Sequence, residues 1–306
     1  MTQSSEPSRR QFLKTAVSAA AALVVTPRVV GSSAVAQGAL ASAPEAASPA
    51  RPGAEMKLGF MTFVCPEWTT ETIVKFAKRA NYDGVEIRVD AGHKHGISSA
   101  SSAETRRFVR KLFGDEGVEI ASVATSVQFA SPAAENHKKN LAAARANLDL
   151  AADLGAPVVR IFAGGGIPKL TPEAARQVAA AFDEVGQYAK AAGACPILEC
   201  GHDIIKGAAE AAEVLRRVRT QNFGALWNDS KVDDRTFEAL KGRIRHFHVH
   251  DEVLDPKNTN LVALAKRMKT IGYRGYVSLE IIWGKNVPED LLITTASRLK
   301  RQIAEG

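Results

Sequence analysis

Three histidines occupy alternate positions of the short run RHFHVHDE. Because successive side chains of a β-strand point to opposite faces, His246, His248 and His250 would share one face, while Phe247 and Val249 share the other. Imidazoles grouped in this way can bind a metal or transfer protons near neutral pH. A strand with one solvent-exposed face would show the same spacing. Residues elsewhere in the chain are therefore needed to decide between the two interpretations.

Acidic residues end three other apolar runs. Glu199 ends PILE, Asp229 follows ALWN, Glu280 ends YVSLE, and His248 lies near the end of HFHVH. Each of them could be an ordinary helix cap or ion-pair partner by itself. Brought together, however, the carboxylates would repel one another unless a cation were bound. Such a group suits one divalent ion, either Mn²⁺, Mg²⁺, Co²⁺ or Zn²⁺, with positions left open for two substrate oxygens.

The elements that position these residues alternate regularly from Met56 onward. Apolar runs predict strands at 58–63, 84–89, 119–123, 158–162, 196–199, 225–228, 246–250 and 276–280. Helical spacing predicts helices at 70–80, 102–116, 136–154, 172–191, 207–217, 235–240, 261–271 and 288–303. Strict alternation implies parallel strands with right-handed crossovers, and about 250 residues suit a closed barrel. We therefore predict one (β/α)8 TIM-barrel domain, of α/β class, over residues 56–306.

An open doubly wound sheet is the rival architecture. It would normally carry a glycine-rich turn after its first strand, where FMTFVCPEW has no glycine. In a barrel, the residues that do chemistry lie at the carboxyl ends of the strands. This rule brings further candidates for substrate binding to the same rim: His93, His95, Glu86, Arg160, His202, His250, Trp68 and Trp283.

Each of these candidates is chosen on a different observation. The two histidines of DAGHKHG follow the second strand, where a solvent-exposed loop is the alternative. Arg160 lies inside the apolar run VVRIF and needs a partner, which a carboxylate at the rim would supply. Trp68 and Trp283 follow the first and last strands and could stack on a sugar face, although tryptophans in loops also serve simple packing.

The amino terminus carries an export pattern. SRRQFLK at residues 8–14 precedes an uncharged apolar run at 15–25 and the tripeptide AVA at 34–36. This predicts a twin-arginine signal peptide over residues 1–36, with the twin-arginine translocase as partner and a periplasmic or secreted location. An uncleaved anchor is the alternative, but the apolar run is too short for a stable membrane span. The Ala-, Pro- and Ser-rich residues 37–55 are predicted to be a disordered linker.

Composition excludes several classes of protein. The 306 residues are 45% hydrophobic and 24% charged, which is typical of a globular enzyme-sized chain rather than a disordered or coiled-coil protein. Residues 1–36 carry +3 of the formal charge of +7, and the remaining Lys and Arg are scattered along predicted helices, so the charge indicates no particular partner. Three cysteines are an odd number for an exported chain, and buried thiols are expected.

The stretches YDGVEIRV, LGAPVVRIF, ILECGH, WNDS, HFHVHD and VSLEI together resemble the xylose isomerase-like TIM-barrel superfamily of sugar isomerases and epimerases. The resemblance covers residues 56–303. It implies that Glu199, Asp229, His248 and Glu280 bind one divalent metal ion, and that the two glutamates also act as catalytic acid and base. A zinc endonuclease branch carries additional histidines on its third strand; EIASVATS has none, so no nucleic-acid partner is expected.

The function expected from this resemblance is metal-dependent isomerisation or epimerisation of a sugar, by proton transfer alpha to a carbonyl through an enediolate. Two alternatives remain open. The same site could expel a leaving group from a keto-glycoside, which would make the protein a β-eliminating lyase. An exported barrel could also bind a sugar without turnover. In each case the partner is a small sugar or glycoside, and a homo-oligomer is possible.

Overall fold

The strands form a closed parallel barrel. A computed structural model describes residues 56–164, 166–281 and 287–306. Each strand pairs with the next in sequence and β8 pairs with β1, which confirms the predicted (β/α)8 TIM barrel. The predicted signal peptide and linker lie outside the described residues. The strands are β1 (Lys57–Met61), β2 (Gly84–Arg88), β3 (Glu119–Ala130), β4 (Val158–Gly164), β5 (Cys195–Cys200), β6 (Gly224–Trp227), β7 (Ile244–Val249) and β8 (Tyr276–Leu279).

A helix follows each strand and covers the outside of the barrel. The helices are α1 (Thr70–Arg79), α2 (Ala103–Glu116), α3 (Ala134–Leu154), α4 (Pro172–Lys190), α5 (Ala208–Leu215), α6 (Asp234–Leu240), α7 (Asn260–Lys269) and α8 (Glu289–Glu305). Short 3-10 helices follow β1 at Thr62–Val64 and β7 at Asp251–Leu254. Among the described residues, no helix has the length and apolarity needed to cross a bilayer.

Side-chain caps set several helix starts. The hydroxyl oxygens of Thr69, Ser102 and Thr171 accept hydrogen bonds from the backbone N–H groups of Thr72, Thr105 and Ala174, respectively. Each bond satisfies one of the donors that a helix leaves free in its first turn. Pro172 opens α4, at a position where the missing N–H group of proline would have no partner within the helix.

The strands bury both of their faces. Their outer face packs on the helices and makes the large apolar core, to which Val159, Leu198 and Phe247 belong. Their inner face carries only a small separate apolar cluster of Val158, Ile197 and Leu226. The other inward positions of the barrel include buried charged and polar side chains, which require partners inside the protein.

Strand β3 extends well past its predicted end. The prediction stopped at Val123, because the polar residues of ATSVQFA interrupt the apolar run. The strand instead continues to Ala130, and Gln128 and Ala130 pair with Phe162 and Gly164 of β4. These two strands thus rise together above the rest of the barrel rim.

The amino-terminal end of the barrel is closed by Tyr276. A Cβ atom added to Gly84 would lie 2.8 Å from the Tyr276 ring and 2.9 Å from the Glu119 carbonyl oxygen. The Tyr276 hydroxyl donates to a carboxylate oxygen of Glu119 at 2.8 Å. Gly84 is therefore needed at this position because a larger residue would displace the ring that fills the barrel floor.

Candidate active site

The histidines of β7 point into the barrel as the alternation predicted. His246 and His248 are 1% and 0% exposed, and their ring centres lie 5.5 Å apart. His250 follows the end of the strand and is half-buried at the rim. The three residues therefore lie at increasing height on the inner side of β7, with His248 in the middle.

Glu86 on β2 contacts both buried histidines from below. Its Oε2 atom lies 2.9 Å from His246 Nε2 and 3.0 Å from His248 Nε2. Burial acts to raise the pKa of this carboxyl, but the neighbouring His248 and His246 outweigh it and hold the pKa well below its usual range. An ionised Glu86 accepts a hydrogen bond from the N–H group of each Nε2 atom, so the Nδ1 atom of His248 is the one that faces the barrel mouth.

Two oxygen atoms face this Nδ1 atom. Glu280 Oε2 lies 3.0 Å from it, and Asn228 Oδ1 lies 3.1 Å from it. Burial acts to lower the pKa of His248, whereas the carboxylates of Glu86 and Glu280 raise it well above its usual value. A proton on Nδ1 or a cation between the three atoms is needed, because otherwise three lone pairs would face one another.

Glu199 on β5 completes the group. Ligand atoms of Glu199, His248 and Glu280 all lie within 4.8 Å of one another. Arg160 holds Glu199 through a contact of 3.1 Å between its Nε atom and Oε2, and Arg160 Nη1 donates to the Thr125 carbonyl at 2.9 Å. The carboxylate partner that the sequence predicted for Arg160 is thus present. Burial raises the pKa of Glu199 above its usual value, although Arg160 and His248 oppose this shift.

Asp229 does not join this group. It is exposed, and its Oδ1 atom accepts a hydrogen bond from the backbone N–H of Lys231 at 2.9 Å. Asn228 takes the inward position at the end of β6, because side chains alternate and Leu226 is an inward residue of the same strand. That alternation is visible in GALWND and could have identified Asn228; the preference for a carboxylate as metal ligand pointed to Asp229 instead.

The donor atoms fit a divalent cation. Glu199 Oε2 and Glu280 Oε2 are buried and contact Arg160 Nε at 3.1 Å and His248 Nδ1 at 3.0 Å, respectively, which leaves lone pairs on both oxygens for a cation. Atoms bound to a common divalent ion at about 2.1 Å in octahedral geometry stand about 3 Å apart, as the atoms around His248 Nδ1 do. Two carboxylates, an imidazole nitrogen and an amide oxygen form a donor set that Mn²⁺, Mg²⁺, Co²⁺ and Zn²⁺ accept.

A second set of potential ligands lies below the first. Glu86, His246 and His248 also bring ligand atoms within 4.8 Å of one another. Here, however, hydrogen bonds account for the contacts: His246 Nε2 lies 2.8 Å from Ser278 Oγ in addition to Glu86. The lower set orients His248, and the upper set is the candidate metal site. Glu86 was expected to touch substrate, but it is fully buried beneath His248.

Two further candidates lie at the rim beside the upper set. His202 is half-exposed, with Nδ1 3.8 Å from Glu199 Oε1, and its ring lies 5.5 Å from that of Phe162. His250 Nδ1 lies 3.1 Å from the carbonyl oxygen of Glu280 and 3.8 Å from its Oε2 atom. Both histidines can therefore reach a molecule bound above the glutamates.

The loop after β2 carries His93 and His95 on the side of β1. His95 Nδ1 accepts a hydrogen bond from Ile97 N at 3.0 Å, so its proton is on Nε2. Burial lowers the pKa of His95 to about 4, which keeps the ring neutral. The rings of His93 and His95 lie 5.4 Å apart, and His93 also contacts Phe63.

Trp68 and Trp283 were both candidates for stacking on a sugar face. Trp68 packs against the apolar core, with its ring 4.9 Å from Phe76 in an edge-to-face arrangement. That contact is the packing alternative considered for this residue, rather than stacking on a sugar. Trp283 lies outside the described residues.

Two cavities open near the barrel rim. One of about 350 Å³ adjoins the candidate metal site and is lined by Asn228 and His250, among other residues. A larger one of about 740 Å³ lies against α4, and its lining contains none of the predicted site residues. The smaller cavity shares Asn228 and His250 with the site where the titratable groups meet, so it is the one that can hold part of a bound substrate.

Comparison with known proteins agrees with this architecture. Residues 74–302 match the family described as xylose isomerase-like TIM barrel. No curated protein sequence matches the chain.

Solved structures with the same fold include D-psicose 3-epimerase from Clostridium cellulolyticum H10, with 14% identity, a TM-score of 0.67, and coverage of 81% of this chain and 98% of that one. The 3-keto-D-glucoside 4-epimerase from E. coli shares 15% identity at a TM-score of 0.67, covering 81% of this chain and 100% of that one. D-allulose 3-epimerase from Methylomonas sp. shares 17% identity at a TM-score of 0.66, covering 81% and 98%. At these identities the likeness concerns the fold.

Proposed function

The chain belongs to the xylose isomerase-like TIM barrel family, and from this premise we propose that it is a metal-dependent sugar isomerase or epimerase. The observation that carries the proposal is the meeting of Glu280 Oε2 and Asn228 Oδ1 at 3.0 and 3.1 Å from His248 Nδ1, with Glu199 close by. Sugar epimerases among the structural neighbours support the same reaction class.

The metal would be held by Glu199, Asn228, His248 and Glu280. When bound, a divalent ion polarises the sugar carbonyl and so acidifies the neighbouring C–H group. Glu86 keeps the Nε2 proton of His248 in place and thereby directs Nδ1 toward the site. Arg160 fixes the carboxylate of Glu199, which would otherwise be free to rotate.

The two glutamates are the proposed proton carriers. One removes the proton alpha to the carbonyl and leaves an enediolate, and the other returns a proton. Return to the opposite face of the same carbon is epimerisation, and return to the neighbouring carbon is isomerisation. Glu199 and Glu280 are only 3% and 4% exposed, so bulk water is largely kept from the proton in transit.

Deuterium exchange tests this proposal directly. The purified full-length protein, loaded with Mn²⁺ and incubated in D₂O with a panel of free ketoses, should introduce deuterium next to the carbonyl of at least one of them, as read by NMR. Chelation of the metal should abolish the exchange. Metal binding without exchange on any sugar would instead favour a barrel that binds sugar without turnover.

A keto-glycoside lyase is the second candidate, because the cavity of about 350 Å³ beside the site provides room beyond the reacting sugar ring. The same proton removal would then expel the group attached at the β-carbon. Incubation with 3-keto-glycosides separates the candidates, since an epimerase exchanges or inverts a C–H group with the glycoside intact, whereas a lyase releases the aglycone.

We also propose that residues 1–36 direct export through the twin-arginine route. The supporting observation is the SRRQFLK sequence ahead of an uncharged apolar run. Replacing Arg9 and Arg10 together by lysine should retain the protein in the cytoplasm of a bacterial host, as measured by immunoblotting of periplasmic and cytoplasmic fractions. Unchanged periplasmic recovery of the variant would contradict the assignment.

A further inference from the structure

The cavity of about 350 Å³ at the carboxyl ends of β6 and β7 has a consistent chemical character. Each of the residues that line it carries a polar or charged group, and one of them, His250, is an imidazole. Two of them also belong to the candidate active site: Asn228 faces His248, and His250 contacts Glu280. A molecule in this cavity would therefore lie directly beside the reacting group.

The charges of the lining exclude an anionic occupant. Asp229 and Glu252 bring two carboxylates, and Lys231 brings the single ammonium group. A phosphate or carboxylate ligand would meet a net negative wall. A ligand rich in hydroxyl groups is instead matched, because carboxylates accept O–H donors, an ammonium donates, and the amide of Asn258 can do both.

Several of these groups are free to bind. Among the described residues, the Lys231 ammonium has no partner, and only one oxygen of each carboxylate is engaged. Asp229 Oδ1 accepts from Lys231 N, and Glu252 Oε1 accepts from His250 N at 3.4 Å. The other oxygen of each carboxylate can accept a hydrogen bond from a hydroxyl group of a ligand.

Side chains of α8 donate hydrogen bonds to the backbone of the loop that borders the cavity. Gln302 Nε2 donates to the carbonyl of Asn258 at 2.6 Å, and an Arg298 guanidinium nitrogen donates to the carbonyl of Val253. Across the cavity, Asn260 Nδ2 donates to Ser230 Oγ at 3.2 Å. The backbone of the loop between β7 and α7 is thus fixed before any ligand binds, which reduces the entropy lost on binding.

We propose that this cavity binds a second, neutral sugar ring, so that the substrate of the proposed isomerase or epimerase is a keto-glycoside, with the carbonyl on the reacting ring and a sugar on both sides of its glycosidic bond. This inference rests on the proposed function. The volume is near the lower end of that of small-molecule sites, which suits one ring and not a longer chain. The carboxylate, ammonium and amide groups of the lining match the several hydroxyl groups of a sugar ring, whereas an aromatic aglycone offers them few hydrogen-bond partners.

Calorimetric binding to the full-length protein loaded with Mn²⁺ tests the inference with unoxidised probes that cannot react. D-glucose is compared with cellobiose, maltose and trehalose. At least one disaccharide should bind ten or more times tighter than glucose. The double variant Lys231→Met and Glu252→Gln should remove this advantage while leaving glucose binding unchanged. Asn258→Ala is a second variant and should weaken the same disaccharide.

A matched control exists on α6, where Lys241 and Glu238 form an exposed pair. Lys241→Met with Glu238→Gln changes the same residue types away from the cavity and should leave disaccharide binding intact. The inference is overturned if no disaccharide binds better than glucose, if the cavity variants leave the advantage unchanged, or if glucose 6-phosphate or Ca²⁺ competes for these residues more strongly than any disaccharide. Deuterium exchange into single ketoses and into 3-keto-disaccharides tests the proposed function separately. If the unmodified protein exchanges none of them, the proposed function fails, whereas disaccharide binding still tests the second ring site.

Discussion

Three partners around one imidazole determine what the site can do. Glu86 contacts Nε2 of His248, while Glu280 and Asn228 face Nδ1. A neutral histidine has one donor and one acceptor nitrogen, and the buried carboxylate below fixes which is which. Nδ1 of His248 therefore faces the barrel mouth and can bind a metal. Substitution of a neighbouring residue should change the metal affinity as well as the activity.

Glu280→Gln tests the proposed catalytic glutamate. Glutamine keeps the shape and one potential ligand oxygen, but it removes the charge and the proton affinity. We expect Mn²⁺ affinity to fall, and deuterium exchange on a verified substrate to fall by at least about 10²-fold. Glu199→Gln should behave alike, whereas His250→Ala should keep its metal content. Near-normal exchange by Glu280→Gln would mean that the base is another residue, to be sought first among His93, His95 and His202.

Glu86→Gln tests the orienting contact. The variant retains the volume of the fully buried side chain but can no longer accept from both histidines as a carboxylate does. Loss of such a partner typically weakens a metal site by about 10- to 100-fold. Titration with Mn²⁺ should show this loss, although Glu86 itself does not face the metal. Wild-type affinity would indicate that the histidine is oriented by Asn228 alone.

Asn228→Asp adds a carboxylate where the structure has an amide. A charge at 3.1 Å from His248 Nδ1 should raise Mn²⁺ affinity by about tenfold or more and, because Glu280 is close, lower the melting temperature of the metal-free protein. Both effects have to be measured, by calorimetry and by thermal melting with a chelator. If Asn228 instead donates its NH₂ group to His248, the variant will not bind metal more tightly.

At the level of elements, the sequence predicted the barrel well and the inward face of β6 poorly. Apolar runs and helical periods identified each strand and helix, because these patterns arise from burial against one shared core. The end of β3 was missed because Thr125, Ser126 and Gln128 interrupt the apolar run, although Val127 and Phe129 are buried and the strand continues to pair with β4. Asp229 was chosen as a ligand because it carries a carboxylate, whereas in the structure Asn228 is the residue at the end of β6 that faces His248.

Gly84→Ala tests the floor of the barrel. The new methyl group would approach the Tyr276 ring at 2.8 Å and the carbonyl oxygen of Glu119 at 2.9 Å, so either β2 or the ring must shift. We expect a loss of about 1–3 kcal/mol in the free energy of unfolding, measured with denaturant.

Gly114→Ala is the matched control. It lies in α2, and no atom lies within 4 Å of the added Cβ. The same change there should stabilise the protein by about 0.5–1 kcal/mol, because alanine loses less backbone entropy than glycine in a helix. Equal effects at the two positions would mean that Tyr276 does not fill the space as described.

At the level of the whole molecule, closing the barrel carries an electrostatic consequence. Glu86, Glu199 and Glu280 come from β2, β5 and the end of β8, and closure brings all of them to the buried inner surface. Arg160 and the two histidines offset part of this charge. The upper carboxylate oxygens of Glu199 and Glu280 contact Arg160 and His248 and keep further lone pairs that a cation can use. The folded state therefore has a binding energy for cations that an unfolded chain, with these residues far apart, lacks.

Metal removal should consequently lower the thermal stability of the entire barrel. A ligand that binds only the folded state stabilises it by about 2.7 kcal/mol when present at 100 times its dissociation constant. For a domain of this size, about 2–4 °C accompany each kcal/mol. We expect the chelated protein to melt roughly 5–10 °C lower than protein saturated with Mn²⁺. The double variant Glu199→Gln and Glu280→Gln should show little of this response, whereas an equal response would place the cation elsewhere. Absence of any response in the unmodified protein would contradict the metal site itself, since the carboxylate oxygens that face His248 would then be stable without a cation.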